Sequence, residues 1–149
     1  MAIGEGWTAR LLTGLAEHLA AAGIGAWRPD GSPYRAAETA IVYRSIPPAP
    51  DRLITLAPYP VTGQPGLADV VQAVQIRLRG TADPRACDDL ADAIYNLLDG
   101  ASGLRWGGIA VVQVYRQSHT SLGQDGTGRW ERSENYYVAA MRPTSNNTD

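Results

Sequence analysis

The residue types that support catalysis occur in this chain only in patterns that assemble no recognisable site. Ser118 and His119 could serve as nucleophile and base, but adjacent residues of a strand point to opposite faces of a sheet. Cys87 is the only cysteine, so neither an internal disulfide nor a Cys-x-x-Cys zinc motif is possible. His18 and His119 are far apart in the sequence and show no metal-binding spacing.

The chain contains no lysine, and all 13 of its basic residues are arginine. A Walker A loop, a Schiff-base site and a Ser–Lys dyad each require a lysine, so all three are excluded. The glycine-rich segment Gly123–Gly128 lies between predicted strands and not before a helix, which is not the context of a phosphate-binding loop. A calcium loop needs several carboxylates, and this segment offers only Asp125. We therefore predict a protein that is not an enzyme and that binds no cofactor or metal.

The acidic group Asp88, Asp89 and Asp92 lies in the first turns of a predicted helix, where the helix dipole favours acidic residues. We interpret it as capping and a solvated face, in preference to a metal site. Cys87, in the same turn, is interpreted as a small core residue and not as a nucleophile.

Length and composition indicate one domain with a real core. The chain has 149 residues, of which 44% are hydrophobic, and no segment approaches the ~20 apolar residues of a membrane span. We predict a single domain over 1–142 and a disordered tail over 143–149. The first residues resemble no secretory signal, so synthesis in a cytoplasm is expected. The net charge of -2 argues against a dedicated nucleic-acid-binding protein.

Apolar periodicity and capping residues predict two helices, at 7–22 and from Pro84 to about 98. Strands are predicted at 24–27, 40–46, 53–57, 70–79, 109–117 and 130–142. The segment 58–69 is predicted to be a loop because it holds three prolines and two glycines. This order indicates an α+β fold, with an antiparallel or mixed β-sheet, two helices packed on one face and a long C-terminal β-hairpin.

The first half of the last predicted strand is polar on both faces, which a monomer core explains poorly. We therefore expect the hairpin to project and to find partners elsewhere. Its loop, Gly123–Gly128, is expected to be flexible when free and ordered on contact.

Two sequence blocks carry a resemblance to a known family. The first is VQIRLRG at 74–80, followed by Asp83, ADAI at 91–94 and LLDG at 97–100. The second is LGQDGTGR at 122–129, followed by ERSENY at 131–136 and Arg142-Pro143. Together they resemble the tail terminator proteins of long-tailed bacteriophages, which are also labelled minor capsid or minor tail proteins.

The resemblance implies a structural virion protein at the tail–neck junction, made in the bacterial host cytoplasm. Such a subunit would form a ring, expected to be a hexamer, that caps the tail tube and joins it to the head connector. The implied partners are other copies of the chain, the tail tube protein and the head–tail connector or stopper protein. Viral DNA would pass through the lumen without specific binding, and no membrane is involved. Two alternatives remain open, namely a head-completion or stopper protein of the same virus and a small ligand-binding domain or enzyme.

Aromatic and arginine residues are enriched at interface hot spots, and alternating charges set the register between partners. On that basis the expected interface residues lie on the hairpin and on the wet face of the 70–79 strand. They are Arg77, Arg79, Arg116, Leu122, Asp125, Arg129, Trp130, Glu131, Arg132, Glu134 and Tyr136.

Overall fold

The computed structural model describes residues 1–149, apart from the side chain of Val61, and contains two helices and a seven-stranded mixed sheet. The elements are α1 (Trp7–Ala21), β1 (Ala26–Trp27), β2 (Ala40–Tyr43), β3 (Leu53–Gly63), β4 (Asp69–Arg79), α2 (Pro84–Leu98), β5 (Ser102–Trp106), β6 (Ile109–Gln124) and β7 (Trp130–Met141). The strand order is β1-β2-β3-β4-β7-β6-β5. The pairs β1–β2 and β2–β3 are parallel, and the others are antiparallel. The predicted α+β class with a C-terminal hairpin is confirmed.

Helix α1 forms because leucines recur along one stripe of its surface. Leu11, Leu15 and Leu19 are buried there against the sheet. The helix stops at Gly23, which has a φ of +77° and donates its N–H to the carbonyl of Ala20. A left-handed glycine after the last turn is the usual way for a helix to end.

Helix α2 begins where its capping residues predict. The Asp83 carboxylate accepts a hydrogen bond of 3.0 Å from Arg85 N, and Pro84 occupies the first helical position, where no N–H is needed. Cys87, Leu90 and Ile94 form the buried stripe. Both helices pack on the same face of the sheet, as predicted.

The core lies between the helices and one face of the central strands. Val74, Ile76 and Leu78 of β4 are fully buried there, which confirms the apolar face predicted for this strand. The opposite face is not wet throughout, because Ala73 and Arg79 are buried too. Tyr136 and Val138 of β7 extend the same apolar layer.

Strand β3 is longer than predicted, because it continues through Pro58 and Pro60 to Gly63. The two prolines fit because β4 lies on only one side of this half of the strand, and a proline N on the open side has no ladder bond to lose. Strand β5 was missed, because the SGLRW sequence of Ser102–Trp106 has only two apolar residues, Leu104 and Trp106, which are too few to indicate a strand. Strand β6 also continues seven residues beyond its predicted end at 117.

The expectation of a projecting hairpin is wrong for β7. This strand lies in the middle of the sheet and pairs with β4 from Glu131 to Met141 and with β6 on its other side. Glu131, Ser133 and Glu134 are buried, so the polar half of the strand is inside the subunit. Within the hairpin, only the outer half of β6 lies at a sheet edge.

Disorder of the tail 143–149 stays a prediction. In the structure the tail lies against the turn before β4, where Ala68 N donates to Asp149 O at 2.6 Å and Gly66 N donates to the Asn147 side chain at 2.7 Å.

Gly14 marks a close approach of α1 to the β5–β6 turn. A Cβ placed there would lie 2.5 Å from both Trp106 Cα and Gly107 N, atoms that cannot move aside. We expect Gly14→Ala to lower the free energy of unfolding by about 1–3 kcal/mol, measured by denaturant titration, in spite of the better helix propensity of alanine. Glu17→Ala, on the exposed side of α1, is the control, and its effect should stay within about 0.5 kcal/mol. Equal stability of the two variants would contradict this packing.

Candidate functional site

A buried ion-pair network explains the polar half of β7. The Glu134 carboxylate is fully buried and accepts hydrogen bonds from Arg116 at 3.1 Å and from Arg132 at 3.3 Å. Arg132 reaches on to Asp88 of α2 at 2.9 Å. The three elements β6, β7 and α2 are therefore joined on the helix side of the sheet.

A second pair lies on the opposite face of the sheet. Arg77 of β4 donates to Glu131 of β7 at 2.6 Å, and the Glu131 side chain is only 10% exposed. Charges on the two faces of β7 thus find partners within the subunit. Glu131 and Glu134, which we expected at an interface, are internal.

Arg79 was expected on the wet face of β4, but its residue is only 3% exposed. Its guanidinium donates to three backbone carbonyls, of Pro47 at 2.7 Å, Pro50 at 2.8 Å and Asp51 at 2.9 Å. Burial lowers the pKa of Arg79 from its ordinary value. The reason is local, since a proline-rich segment has few N–H donors of its own and Arg79 supplies donors to its carbonyls.

The Gly123–Gly128 loop is built around Asp125. Its carboxylate accepts from Arg129 N and Thr127 N at 2.9 Å each and from Arg129 Nε at 2.8 Å. These hydrogen bonds, led by the one from the Arg129 backbone, lower the pKa of Asp125. Arg129 also donates to Pro48 O at 2.6 Å. These contacts tie the loop to its own subunit, and its flexibility in the free protein stays a prediction.

The remaining expected interface residues differ in exposure. Tyr136 is fully buried in the core, where burial raises the pKa of its hydroxyl, so it forms no surface. Trp130 is half-buried against the same core. Leu122 is exposed at 45%. Of the set chosen from the sequence, Leu122 is the one that the structure leaves fully at the surface.

The face of the sheet opposite the helices carries tyrosines that the expected interface set leaves out. Tyr59, Tyr115 and Tyr137 lie on it, and the rings of Tyr115 and Tyr137 meet edge-on with centroids 5.6 Å apart. Ala73 is fully buried between Tyr59 and Tyr137. We call this surface the tyrosine face. Tyr59 was left out because the sequence predicted a loop at 58–69, whereas β3 continues through this residue.

The polar groups of the β6 edge and α2 form no catalytic arrangement. Cys87 is buried in the core, as expected, and this burial raises the pKa of its thiol to about 11. Ser118 donates to Gln117, and His119 Nδ1 lies 3.2 Å from an Arg132 nitrogen, so the two form no dyad. Within the described residues there is no group of three or more His, Cys, Asp or Glu that could hold a metal ion. None of the helices described is long and apolar enough to cross a membrane.

The chain is similar to a protein family over most of its length and, more loosely, to a chain of a solved structure. A chain from a structure titled "Virion of native gene transfer agent (GTA) particle" superposes with a TM-score of 0.49 and 17% sequence identity, over 67% of this chain and 78% of that chain. No curated protein matches the sequence. The family model described as "Bacteriophage tail terminator protein" matches residues 18–142. Since that match covers most of the chain, the protein belongs to the bacteriophage tail terminator family and is a structural protein of the virion.

Proposed function

We propose that the protein closes into a sixfold ring at the end of the tail tube, stops its growth and offers a surface to the head connector. The observation that carries this proposal is the family match over 18–142. A closed ring needs heterologous contacts, in which one surface of each subunit meets a different surface of the next.

The tyrosine face is the first candidate for such a contact. Tyr115 is 44% exposed and Val112 is 54% exposed, and both lie on β6 beside the half-buried Tyr137. Tyrosine supplies a large contact area at low cost in side-chain entropy and is enriched at interface hot spots. The face offers few competing charges, because Arg77 is already paired with Glu131.

Charge pairing within the subunit fits a lumen through which DNA passes without specific binding. Apart from Arg85, which pairs with Asp83 two residues before it, five arginines have a carboxylate partner within the subunit. They are Arg28, Arg77, Arg116, Arg129 and Arg132, paired with Glu38, Glu131, Glu134, Asp51 and Asp88. Fewer free cations mean fewer phosphate contacts, and each such contact would add salt-sensitive affinity.

Genetic removal and complementation test the proposal. A phage that lacks this gene should produce tails of uncontrolled length that do not join heads, and supplied wild-type protein should restore infectious particles. Tyr115→Asp, which places a charge on the tyrosine face, should fail to complement. Glu17→Arg, which changes the charge of an exposed residue on α1, should complement.

Normal tails combined with heads that lose their DNA would contradict the proposal and indicate a head-completion protein. Infectious particles from the deletion phage would contradict any neck function.

A further inference from the structure

The outer half of β6 is an unpaired sheet edge. Strand β5 covers β6 only as far as Gln113. The next outward groups are capped, since Val114 N donates to Ala101 O at 2.9 Å and Arg116 N donates to the Asp99 carboxylate at 2.8 Å. From Gln117 to Leu122, no residue of the described chain outside β6 and β7 hydrogen-bonds to the backbone.

The register shows which of these backbone groups face outwards. Trp130 exchanges hydrogen bonds with Gly80 and Thr81, so the even-numbered residues of β7 turn their backbone groups towards β4. His119 and Ser121 pair with even-numbered residues of β7. In an antiparallel ladder, two opposite residues that are not hydrogen-bonded to each other direct their N–H and C=O groups away from each other. The N–H and C=O groups of His119 and Ser121 therefore point outwards in the plane of the sheet, away from β7.

The opposite edge of the sheet is protected against strand addition. The outer half of β3, from Ala57 to Gly63, is also without a strand on its outer side. By the same register argument, Pro58 and Pro60 hold its outward positions, and proline has no N–H to donate. The outer half of β6 contains neither proline nor lysine. This difference argues against continuation of the sheet from β6 of one copy into β3 of the next.

Acidic residues of α2 and the acidic residue that follows its last turn lie beside the β6 edge. Asp88 contacts Arg132 of β7 and Asp99 contacts Arg116 of β6, so Asp92, between them on the same helix stripe, faces this edge as well. Asp88 and the buried Glu134 pair with Arg132 and Arg116, whereas neither Asp92 nor Asp99 forms an ion pair within the described residues. A groove of about 380 Å³, lined in part by Asp88, His119, Ser121 and Arg132, separates helix and strand.

We propose that this edge binds a short extended segment of another tail or neck protein, which adds to the sheet as a strand and presents arginine or lysine to the aspartates of α2. Backbone hydrogen bonds supply the affinity in strand addition, and side chains at alternate positions supply the specificity. Bulges after Arg116 and after Ser121 leave Ser118–Ser121 as the regular stretch, so the added strand is short. This inference rests on the proposed function for the identity of the partner.

Two substitutions test the two parts of the proposal in the full-length protein. Ser121→Pro removes one outward N–H without touching the ladder to β7, and Asp92→Arg reverses the charge of the helix stripe. The probes are purified tail tubes and DNA-filled heads of the same phage. Each variant should bind one of these probes about tenfold more weakly than the wild type, the factor that corresponds to one good polar contact. Glu17→Arg, a matched charge reversal on α1, should bind as the wild type does.

Hydrogen exchange identifies the contact directly. On binding, the His119 and Ser121 amides of the wild type should exchange at least about tenfold more slowly, as expected for new backbone hydrogen bonds. Binding with neither protection nor an effect of the two substitutions would overturn the inference while leaving the proposed function intact. Binding to neither probe would overturn both. Protection that appears in the protein alone as its concentration rises would assign the edge to a second copy and overturn the proposal.

Discussion

Glu134→Gln is expected to lower the free energy of unfolding by about 3 kcal/mol, as breaking a buried ion pair does. The Glu134 carboxylate has no solvent exposure, and Arg116 and Arg132, which donate to it, are only 21% and 15% exposed. A neutral amide would leave both guanidiniums close together without their shared counter-charge. Denaturant unfolding followed by circular dichroism measures the loss.

Asp88→Asn provides the matched control, because Asp88 pairs with the same Arg132 but its side chain is 62% exposed. An exposed ion pair contributes about 0–1 kcal/mol, and salt screens it. We therefore expect a small, salt-dependent effect for Asp88→Asn and a large, nearly salt-independent one for Glu134→Gln. Equal losses from the two variants would show that the network is a surface feature and not part of the core.

Arg79→Met is expected to lower the free energy of unfolding by about 3 kcal/mol, because three backbone carbonyls lose their hydrogen-bond donor. The methionine fills much of the space of the arginine stem, but Pro47, Pro50 and Asp51 lose the hydrogen bonds to their carbonyl oxygens. The 47–51 segment should then become susceptible to proteolysis, whereas the wild-type segment should resist it.

Arg52→Met is the control for this change, since Arg52 follows the same segment but its side chain is exposed. We expect a change within about 0.5 kcal/mol for that variant and no new cleavage. A stable, protease-resistant Arg79→Met protein would mean that the proline-rich segment holds its conformation without the guanidinium.

Elements marked by strong local signals could be predicted from the sequence. The capping residues Asp83 and Pro84 and the spacing of Cys87, Leu90 and Ile94 define α2, and the alternation along β4 defines its buried face. Local rules are sufficient in these cases because the same residues that set the conformation also face the core.

The parts that were missed depend on strand neighbours that are distant in the sequence. Pro58 and Pro60 argue against a strand until it is known that their side of β3 is open. Likewise, the charges of β7 favour a projecting hairpin until Arg77, Arg116 and Asp88 are known to lie beside them. Strand order decides both cases, and the local sequence pattern does not indicate it.

The same lesson applies to the candidate interface. Residue type selected Arg79, Glu134 and Tyr136 for a surface, since arginine, alternating charge and tyrosine are common at interfaces. The structure uses all three inside the subunit. Tyr59 and Tyr115 share a surface only because β3 and β6 flank β4 and β7 in the sheet.

Electron cryomicroscopy of the tail end of intact particles tests the central claim most directly. We predict one layer of six copies of this chain, in contact with the last ring of the tail tube on one side and with the head connector on the other. One or two copies per tail, or a layer of a different protein between this chain and the tube, would contradict the account.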